Sequence, residues 1–407
     1  MHILPILSTL RRHRTAATLI VLEIALTCAI VCNAVFLIGE RVGRMNQDSG
    51  VVENELLRIQ LTGIGKDKNP AVLTKEDLAA LSAVPGVRKV AQSLQVPFGN
   101  SSSNSDISLE KDQLQSNLNA STYFGSENLL QTLGVRLSAG RDFTPDEFLD
   151  WDAIQKDSKL KVHSIILSRA VAERLWPGEN PLGKSVYMGD DPIRVVGIIE
   201  RLVRPNNFLA GAGDFELSTV LPIRTPYTVG GNYLLRVDPQ RRAEVLTAAL
   251  AALEKNSPNR IILRKQTFDE LRADYFRQDR AMAWLLVSVC AALLIITALG
   301  IVGLASFWVQ QRTRQIGIRR ALGATRRQIL RYFQTENFLL ATLGIVIGMI
   351  MAYGINMLLM EKYELPRLPA LFLPLGAVTL WVLGQIAVLG PALRAASVPP
   401  AVATRTV

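Results

Sequence analysis

The chain has 407 residues, of which 49% are hydrophobic and only 20% are charged, and its formal net charge is +10. These values exclude an ordinary soluble protein, because the apolar residues are gathered into blocks long enough to cross a membrane. The positive charge does not indicate nucleic-acid binding, since many of the arginines lie beside those blocks without interleaved aromatic residues.

The first predicted element is a membrane-spanning helix at 15–38, which follows a short N-terminal segment, 1–14. Arg11, Arg12 and Arg14 precede the span and no acid does, so the N-terminus is expected in the cytoplasm. The span is too long for the core of a signal peptide, and no small-residue cleavage site follows it. We therefore expect it to remain as an anchor.

The next segment, 39–280, is polar and is expected to fold outside the membrane as a large mixed α+β domain, inserted between the first and second spans. Strands are predicted at 55–61, 164–168, 193–199, 232–237 and 260–264, and helices at 75–83 (with Thr74 as N-cap), 169–176 and 241–255. The three cysteines, Cys28, Cys32 and Cys290, fall in predicted spans, so no disulfide framework supports this domain.

Residues 178–185 of this domain match the pattern of a phosphate-binding loop, G-x-x-x-x-G-K-[ST]. That loop needs a strand before it and a helix after it, so that backbone N–H groups face the phosphates. Here a predicted helix precedes the pattern and a strand-like segment follows it, and Pro181 removes one N–H group. We interpret the match as a turn.

The domain ends at a helix start, where Thr267 and Glu270 have the spacing of a capping box. No proline interrupts the chain from there to Val309, which predicts a continuous stalk helix of about 40 residues, ~60 Å long. The alternative is an interruption near Asp279. The second span, 281–309, lies within this helix and contains no charged residue.

The loop 310–336, called here the arginine-rich loop, contains seven arginines, and Glu336 is its single acid. Arginines between two apolar spans place a loop in the cytoplasm. A short helix is predicted at its centre, with an apolar patch formed by Ile316, Ile318, Ala321 and Leu322. Gly323 can end this helix.

A second helix is predicted to begin within the loop, because Thr325 and Gln328 have capping-box spacing. Arg326 and Arg327 then occupy its first turn, where positive charge opposes the helix dipole. Anionic headgroups of membrane lipid or an acidic partner would favour them there. Membrane topology alone is the competing explanation for these two arginines, but it does not account for the short central helix.

The third span, 337–360, carries small residues on one face: Gly344, Gly348 and Ala352, with Asn356 one turn further. Small residues at this spacing let helices approach closely. The pattern fits a dimer contact and a contact within the chain equally well. A short outer turn at 361–369, a fourth span at 370–393 and a cytoplasmic tail at 394–407 complete the predicted four-span α-helical membrane protein.

No catalytic constellation accompanies these elements. The three histidines are scattered, and the sequence shows neither a nucleophile elbow nor metal-ligand spacing. We therefore expect a protein that is not an enzyme and that needs no cofactor or metal.

Three stretches of this sequence resemble permeases of the MacB/FtsX type, the mechanotransmission class of ABC transporters. Residues 314–330 resemble the coupling-helix region of that family, residues 129–143 and 165–199 its periplasmic core domain, and residues 391–400 its C-terminal tail.

The resemblance implies a dimerising subunit, formed with a second copy or a paralogue, that binds a cytoplasmic ABC ATPase and transmits the ATPase's motion to the periplasm. The implied ATPase-coupling residues are Arg314, Ile316, Gly317, Ile318, Arg319, Arg320, Ala321, Leu322, Gly323 and Ala324. Only about a dozen residues precede the first span, so the ATPase is expected on a separate chain.

We expect tripartite efflux of periplasmic substrates from the bacterial inner membrane, with a periplasmic adaptor and an outer-membrane channel. A lipoprotein-releasing or cell-wall-hydrolase-regulating complex is the alternative within the family. A transmembrane sensor is the alternative outside it. Copurified partners distinguish these three functions.

Overall fold

The fold follows the division of the sequence into apolar and polar blocks. This computed structural model describes residues 14–64, 69–99, 101–206, 214–363, 368–369 and 372–397. The chain divides into a helical unit, Met1–Asn46 with Gln278–Val407, and an α/β unit, Gln47–Arg277.

The helices of the described residues are α1 (Arg14–Met45), α2 (Pro70–Ser82), α3 (Leu129–Leu133), α4 (Trp151–Lys156), α5 (Arg169–Leu175), α6 (Arg242–Asn256), α7 (Phe268–Tyr275), α8 (Arg277–Gln311), α9 (Thr313–Ala321), α10 (Arg326–Tyr363) and α11 (Phe372–Ser397). The strands are β1 (Leu56–Gly63), β2 (Val87–Ser93), β3 (Asn104–Ile107), β4 (Leu118–Phe124), β5 (Leu137–Gly140), β6 (Leu149–Asp150), β7 (Ser164–Ser168), β8 (Ser185–Tyr187), β9 (Pro192–Ile199), β10 (Ser218–Leu221), β11 (Ile223–Arg224), β12 (Asn232–Val237) and β13 (Arg260–Thr267).

Among the described helices, α1, α8, α10 and α11 are long and apolar enough to cross a membrane. In the most apolar window of α1, 67% of the residues are buried, against 17% in α8. Helix α1 is therefore central and packs on α10 and α11. Helix α8 lies at the edge, where the hydroxyls of Thr27 in α1 and Thr297 in α8 share a hydrogen bond of 2.8 Å. The exposed apolar side chains of α8 suit contact with lipid.

The α/β unit contains two sheets with separate cores. One is an antiparallel sheet of strand order β13-β1-β12-β2, and helices α2 and α6 contribute to its core. The other has the order β3-β4-β10-β7-β9-β5, with β8 paired to the edge of β9, and mixes parallel and antiparallel pairs. A two-stranded parallel ribbon, β6 with β11, accompanies them. Mixed α+β architecture between the first and second spans is thus confirmed.

Helix α2 begins earlier than predicted. It starts at Pro70, so Thr74 lies inside it and not at its N-cap. The Thr74 hydroxyl donates to the carbonyl of Pro70 at 2.8 Å and accepts from the N–H of Tyr227 at 2.8 Å. Proline is favoured in the first helical turn because its missing N–H is not needed there.

The predicted stalk helix is divided in two, which corrects the expectation of a continuous helix. The capping box of Thr267 and Glu270 forms as predicted and begins α7. Helix α7 ends at Tyr275, Phe276 has φ −89° and ψ 12°, and α8 begins at Arg277. The ring of Phe276 is buried within the α/β unit against Phe98, with 5.7 Å between ring centroids. Burying this aromatic ring is more favourable than continuing the helix. The periodicity of the sequence does not reveal that the ring is buried.

Residues 178–184 form a turn between α5 and β8, and Ser185 is the first residue of β8. A helix therefore precedes it and a strand follows it, opposite to the order that a phosphate-binding loop requires. Gly178 and Gly183 have φ of +75° and +80°, a left-handed conformation that favours glycine. The turn interpretation accounts for both glycines.

An ion pair involves Arg141, which lies in the stretch 129–143 that resembles the family's periplasmic core domain. The Arg141 guanidinium donates to both carboxylate oxygens of Glu147 at 2.7 and 2.8 Å, and the Ser164 hydroxyl donates to the same carboxylate at 2.5 Å. The bond from Arg141 is the largest cause that lowers the pKa of Glu147 from 4.5 to about 2.

Replacing Glu147 with glutamine is expected to make the folding stability depend less on pH in the acid range. Because the folded-state pKa is depressed, the stability that Glu147 contributes is present above about pH 4.5 and is lost as the pH falls towards about 2. Thermal unfolding of the full chain in detergent across this range measures it. The exposed Glu173→Gln is the control, and an acid limb unaltered by Glu147→Gln contradicts this role of the pair.

Candidate functional site

The arginine-rich loop forms a short helix, α9, with a defined end. The N–H of Ala324 donates to the carbonyl of Arg319 at 3.0 Å, and that of Gly323 to Arg320 at 3.1 Å. This bond pair is the Schellman motif, which needs a left-handed residue after the helix. Gly323 supplies it with φ +96°, and a Cβ there would have no atom within 4 Å. Backbone conformation, and not crowding, is therefore the reason for glycine.

Helix α10 begins at the predicted capping box. The N–H of Thr325 donates to the Gln328 side chain at 2.8 Å, and the N–H of Gln328 donates to the Thr325 hydroxyl at 3.3 Å. The span helix thus begins at Arg326, inside the arginine-rich loop and ahead of the predicted span. Helix α10 is thus one continuous helix from the arginine-rich loop into the span.

One face of α9 is fixed to the ends of the span helices. Ile316 and Gly317 are buried, and Ile316 packs in a cluster with Val309 of α8 and Phe333 of α10. The remaining buried members are Ile329 of α10 and Ala392, Ala395 and Ala396 of α11. The cluster therefore joins α9 to all three of these helices.

A buried ion pair lies beside this cluster. The Arg312 guanidinium, between α8 and α9, donates to both carboxylate oxygens of Glu336 in α10 at 2.9 and 3.1 Å. The two side chains are only 8% and 2% exposed, and Arg312 also lies over the ring of Trp308 at 5.7 Å. Both bonds come from Nη1 of Arg312, and its buried Nη2 has no hydrogen-bond partner among the described residues. The pair links the junction of α8 and α9 to α10, and breaking it would leave a buried charge.

The opposite face of α9 is exposed. It presents Ile318 and, at the C-cap, Leu322, which are 45% and 82% exposed. Around them lie Arg314, Arg319, Ala321 and Gly323, also exposed, while Arg320 and Ala324 are half-buried. Arg319 lies over the Tyr332 ring at 5.2 Å. In α10, Arg326, Arg327 and Arg331 add exposed positive charge.

The predicted apolar patch is therefore divided between the two faces, which corrects the sequence interpretation. Ile318, Ala321 and Leu322 point outwards, whereas Ile316 is buried beneath the helix. We call the exposed surface of Ile318, Ala321 and Leu322 with its surrounding arginines the docking face. An apolar centre with a basic rim suits an apolar groove bordered by acidic residues.

The three small residues on the third span pack within the chain. A Cβ on Gly344 would lie 2.9 Å from the Ile24 side chain, and one on Gly348 would lie 2.6 Å from the carbonyl oxygen of Ala25. Ala352 is fully buried, and its carbonyl accepts a 3.0 Å hydrogen bond from Asn33. All these partners belong to α1. The stripe accordingly brings α10 and α1 together within one chain.

The docking face offers shape and charge but no reactive group. Across the described parts of the chain, no three His, Cys, Asp or Glu side chains form a group that could hold a metal ion. The sequence marks Glu336 as the single acid among seven arginines of the loop, but it does not show which arginine pairs with it.

Family profiles match both units. The MacB-like periplasmic core domain matches residues 15–253, and the FtsX-like permease C-terminal profile matches residues 287–400, which include α9 and the docking face.

Curated relatives align at low identity over most of the chain. The uncharacterized ABC transporter permease YknZ of Bacillus subtilis is 23% identical over 343 residues, covering 82% of this chain and 79% of YknZ. The macrolide export ATP-binding/permease protein MacB of Acinetobacter baylyi is 24% identical over 363 residues, covering 87% of this chain and 51% of MacB. MacB of Neisseria meningitidis is matched over 59% of this chain and 36% of its own length. The chain thus spans about half of one of these MacB proteins and about a third of the other.

Two solved domains also align with the chain. The extracellular domain of YknZ is 17% identical with a TM-score of 0.32, and the match covers 51% of this chain and 100% of that domain. The periplasmic region of MacB from Actinobacillus actinomycetemcomitans is 16% identical with a TM-score of 0.32, and the match covers 57% of this chain and 97% of that region.

Proposed function

Since the chain belongs to the family of MacB-like and FtsX-like ABC transporter permeases, we propose that a separate cytoplasmic ABC ATPase binds the docking face and drives motion through this subunit. The observation that carries the proposal is the two-faced character of α9. Its buried face is fixed to α8, α10 and α11, and its other face exposes two large apolar side chains among arginines. Large apolar side chains exposed within a basic rim suit a protein contact surface.

The packing beneath α9 supplies the route for that motion. Closure of the ATPase would push on Ile318 and Leu322, and the cluster around Ile316 together with the Arg312–Glu336 pair would pass the displacement to α8 and α10. Packed elements transmit such displacements because protein interiors are dense and barely compressible. In the sequence, α8 directly follows α7 of the α/β unit, with Phe276 between the two helices.

At the level of the cell, the proposal is tripartite efflux of periplasmic substrates. The α/β unit would lie in the periplasm, both termini in the cytoplasm and the spans in a bacterial inner membrane. A second permease copy or paralogue, a periplasmic adaptor and an outer-membrane channel would complete the assembly. The support is the arginine distribution, four apolar helices among the described residues, and the family profiles.

Replacing Ile318 with aspartate is expected to abolish ATPase association without unfolding the permease. Ile318 is 45% exposed, so aspartate costs little folding stability but places a buried charge in the proposed interface. Copurification of the ATPase with each variant measures the loss. Ile318→Leu is the matched control, because it keeps an apolar side chain on the docking face, and it is expected to retain the ATPase. ATPase bound equally well to Ile318→Asp would disprove docking at this face.

A further inference from the structure

Two exposed arginines lie on the side of α10 that faces away from α9. Arg327 and Arg331 are four residues apart, so they follow one another along one side of the helix. Ile329 and Phe333 each come two residues later, which at about 100° per residue places them on the opposite side. These two pack in the cluster that holds Ile316 of α9. Arg327 and Arg331 therefore point away from α9 and its docking face.

Neither of these arginines has an ion-pair partner among the described residues. Glu336 is the single acid of the arginine-rich loop, and it is buried against Arg312. Helix α11, which packs on α10, contains no acid. Arg327 also lies in the first turn of α10, where positive charge opposes the helix dipole. An anion from outside the chain would stabilise both charges.

Further along the same side of α10, the surface is aromatic and apolar. Phe338 comes two helical turns, about 10 Å, after Arg331 and is 44% exposed. Its ring stacks on that of Trp381 in α11, with 5.6 Å between the centroids, and the indole N–H of Trp381 donates to the hydroxyl of Thr342 at 3.1 Å. Tryptophan beside exposed apolar side chains is typical of the boundary between hydrocarbon and headgroups. The two arginines, one to three turns before this aromatic pair, are therefore expected at headgroup depth.

We propose that Arg327 and Arg331 bind the headgroup of an anionic phospholipid of the cytoplasmic leaflet, whose acyl chains lie against Phe338 and Trp381. A guanidinium group binds phosphate oxygens through paired N–H donors. Anionic headgroups are favoured over zwitterionic ones, because the ammonium group of a zwitterionic lipid neutralises its own phosphate. The inference rests on the proposed membrane orientation but not on the ATPase, so the permease alone is sufficient to measure binding.

The test is lipid binding by the full chain in detergent, measured by native mass spectrometry. Phosphatidylglycerol and phosphatidylcholine with identical acyl chains are added at equal concentrations, so that only the headgroup differs. The parent chain is expected to retain phosphatidylglycerol about tenfold more than phosphatidylcholine. Glycerophosphoglycerol, the same headgroup without acyl chains, is expected not to compete at equimolar amounts. Competition as strong as that of the lipid would show a site for soluble phosphates and overturn the proposal.

Two double variants assign the preference to this side of α10. Arg327→Gln with Arg331→Gln is expected to abolish it without lowering the unfolding temperature, because both side chains are exposed. Arg314→Gln with Arg326→Gln is the matched control, since it removes the same charge from two other exposed positions of the loop, and it is expected to keep the preference. No preference for phosphatidylglycerol in the parent chain, or equal losses in the two double variants, would overturn the proposal.

Discussion

Replacing Glu336 with leucine is expected to destabilise the helical unit by about 3–5 kcal/mol, because it leaves the Arg312 guanidinium buried without a counter-ion. Both side chains of the pair are nearly inaccessible, at 8% and 2% exposure. Solvent therefore cannot replace the lost carboxylate. The same change would uncouple α8 from α10, so ATP-dependent activity should fall even in protein that remains folded.

A double-variant cycle separates the pair from its surroundings. The unfolding free energy in detergent is measured for Glu336→Leu, for Arg312→Met and for both together. The double variant is expected to recover much of the stability, since no unpaired charge remains and the new side chains can pack. If the two single variants lower the unfolding free energy additively, or if Glu336→Leu is as stable as the parent chain, the ion pair does not couple α8 to α10.

Replacing Gly348 with leucine is expected to separate α10 from α1. A Cβ at this position would lie 2.5 Å from the Cβ of Cys28 and 2.6 Å from the carbonyl oxygen of Ala25. The second contact involves backbone, which cannot rotate away as a side chain can. Overpacking of this kind typically costs about 1–3 kcal/mol, and leucine here exceeds that range because the whole helix has to shift.

Gly354 provides the matched control on the same helix. A Cβ at Gly354 would meet no atom within 4 Å, so Gly354→Ala is expected to be neutral or to stabilise α10 by up to about 1 kcal/mol through helix propensity. Unfolding temperatures of the two variants in the same detergent measure the contrast. Equal unfolding temperatures for Gly348→Leu and the parent chain would contradict close packing of α10 on α1.

Much of the fold could be predicted from the sequence because its signals are local. Apolar length located all four candidate span helices, and periodicity located strands such as 164–168 and 232–237, which became β7 and β12. Both capping boxes, at Thr267 and Thr325, form as their spacing predicts. Each of these features depends on residues a few positions apart.

The features that the sequence did not reveal depend on distant contacts. The burial of Ile316 is set by α8, α10 and α11, and a nine-residue helix is too short for periodicity to decide which apolar side chain faces inwards. The pair Arg312–Glu336 joins residues 24 positions apart. Likewise, Phe276 breaks the stalk because of a ring on another element, Phe98.

The most direct test of the central claim is affinity purification of the permease in mild detergent, with mass spectrometry of its partners. We predict a separate ABC ATPase with the parent chain and its loss with Ile318→Asp. An accompanying periplasmic adaptor supports efflux, whereas a cell-wall hydrolase or a lipoprotein carrier directs the function to envelope maintenance. Recovery of an intact permease complex with no ATPase would contradict the account.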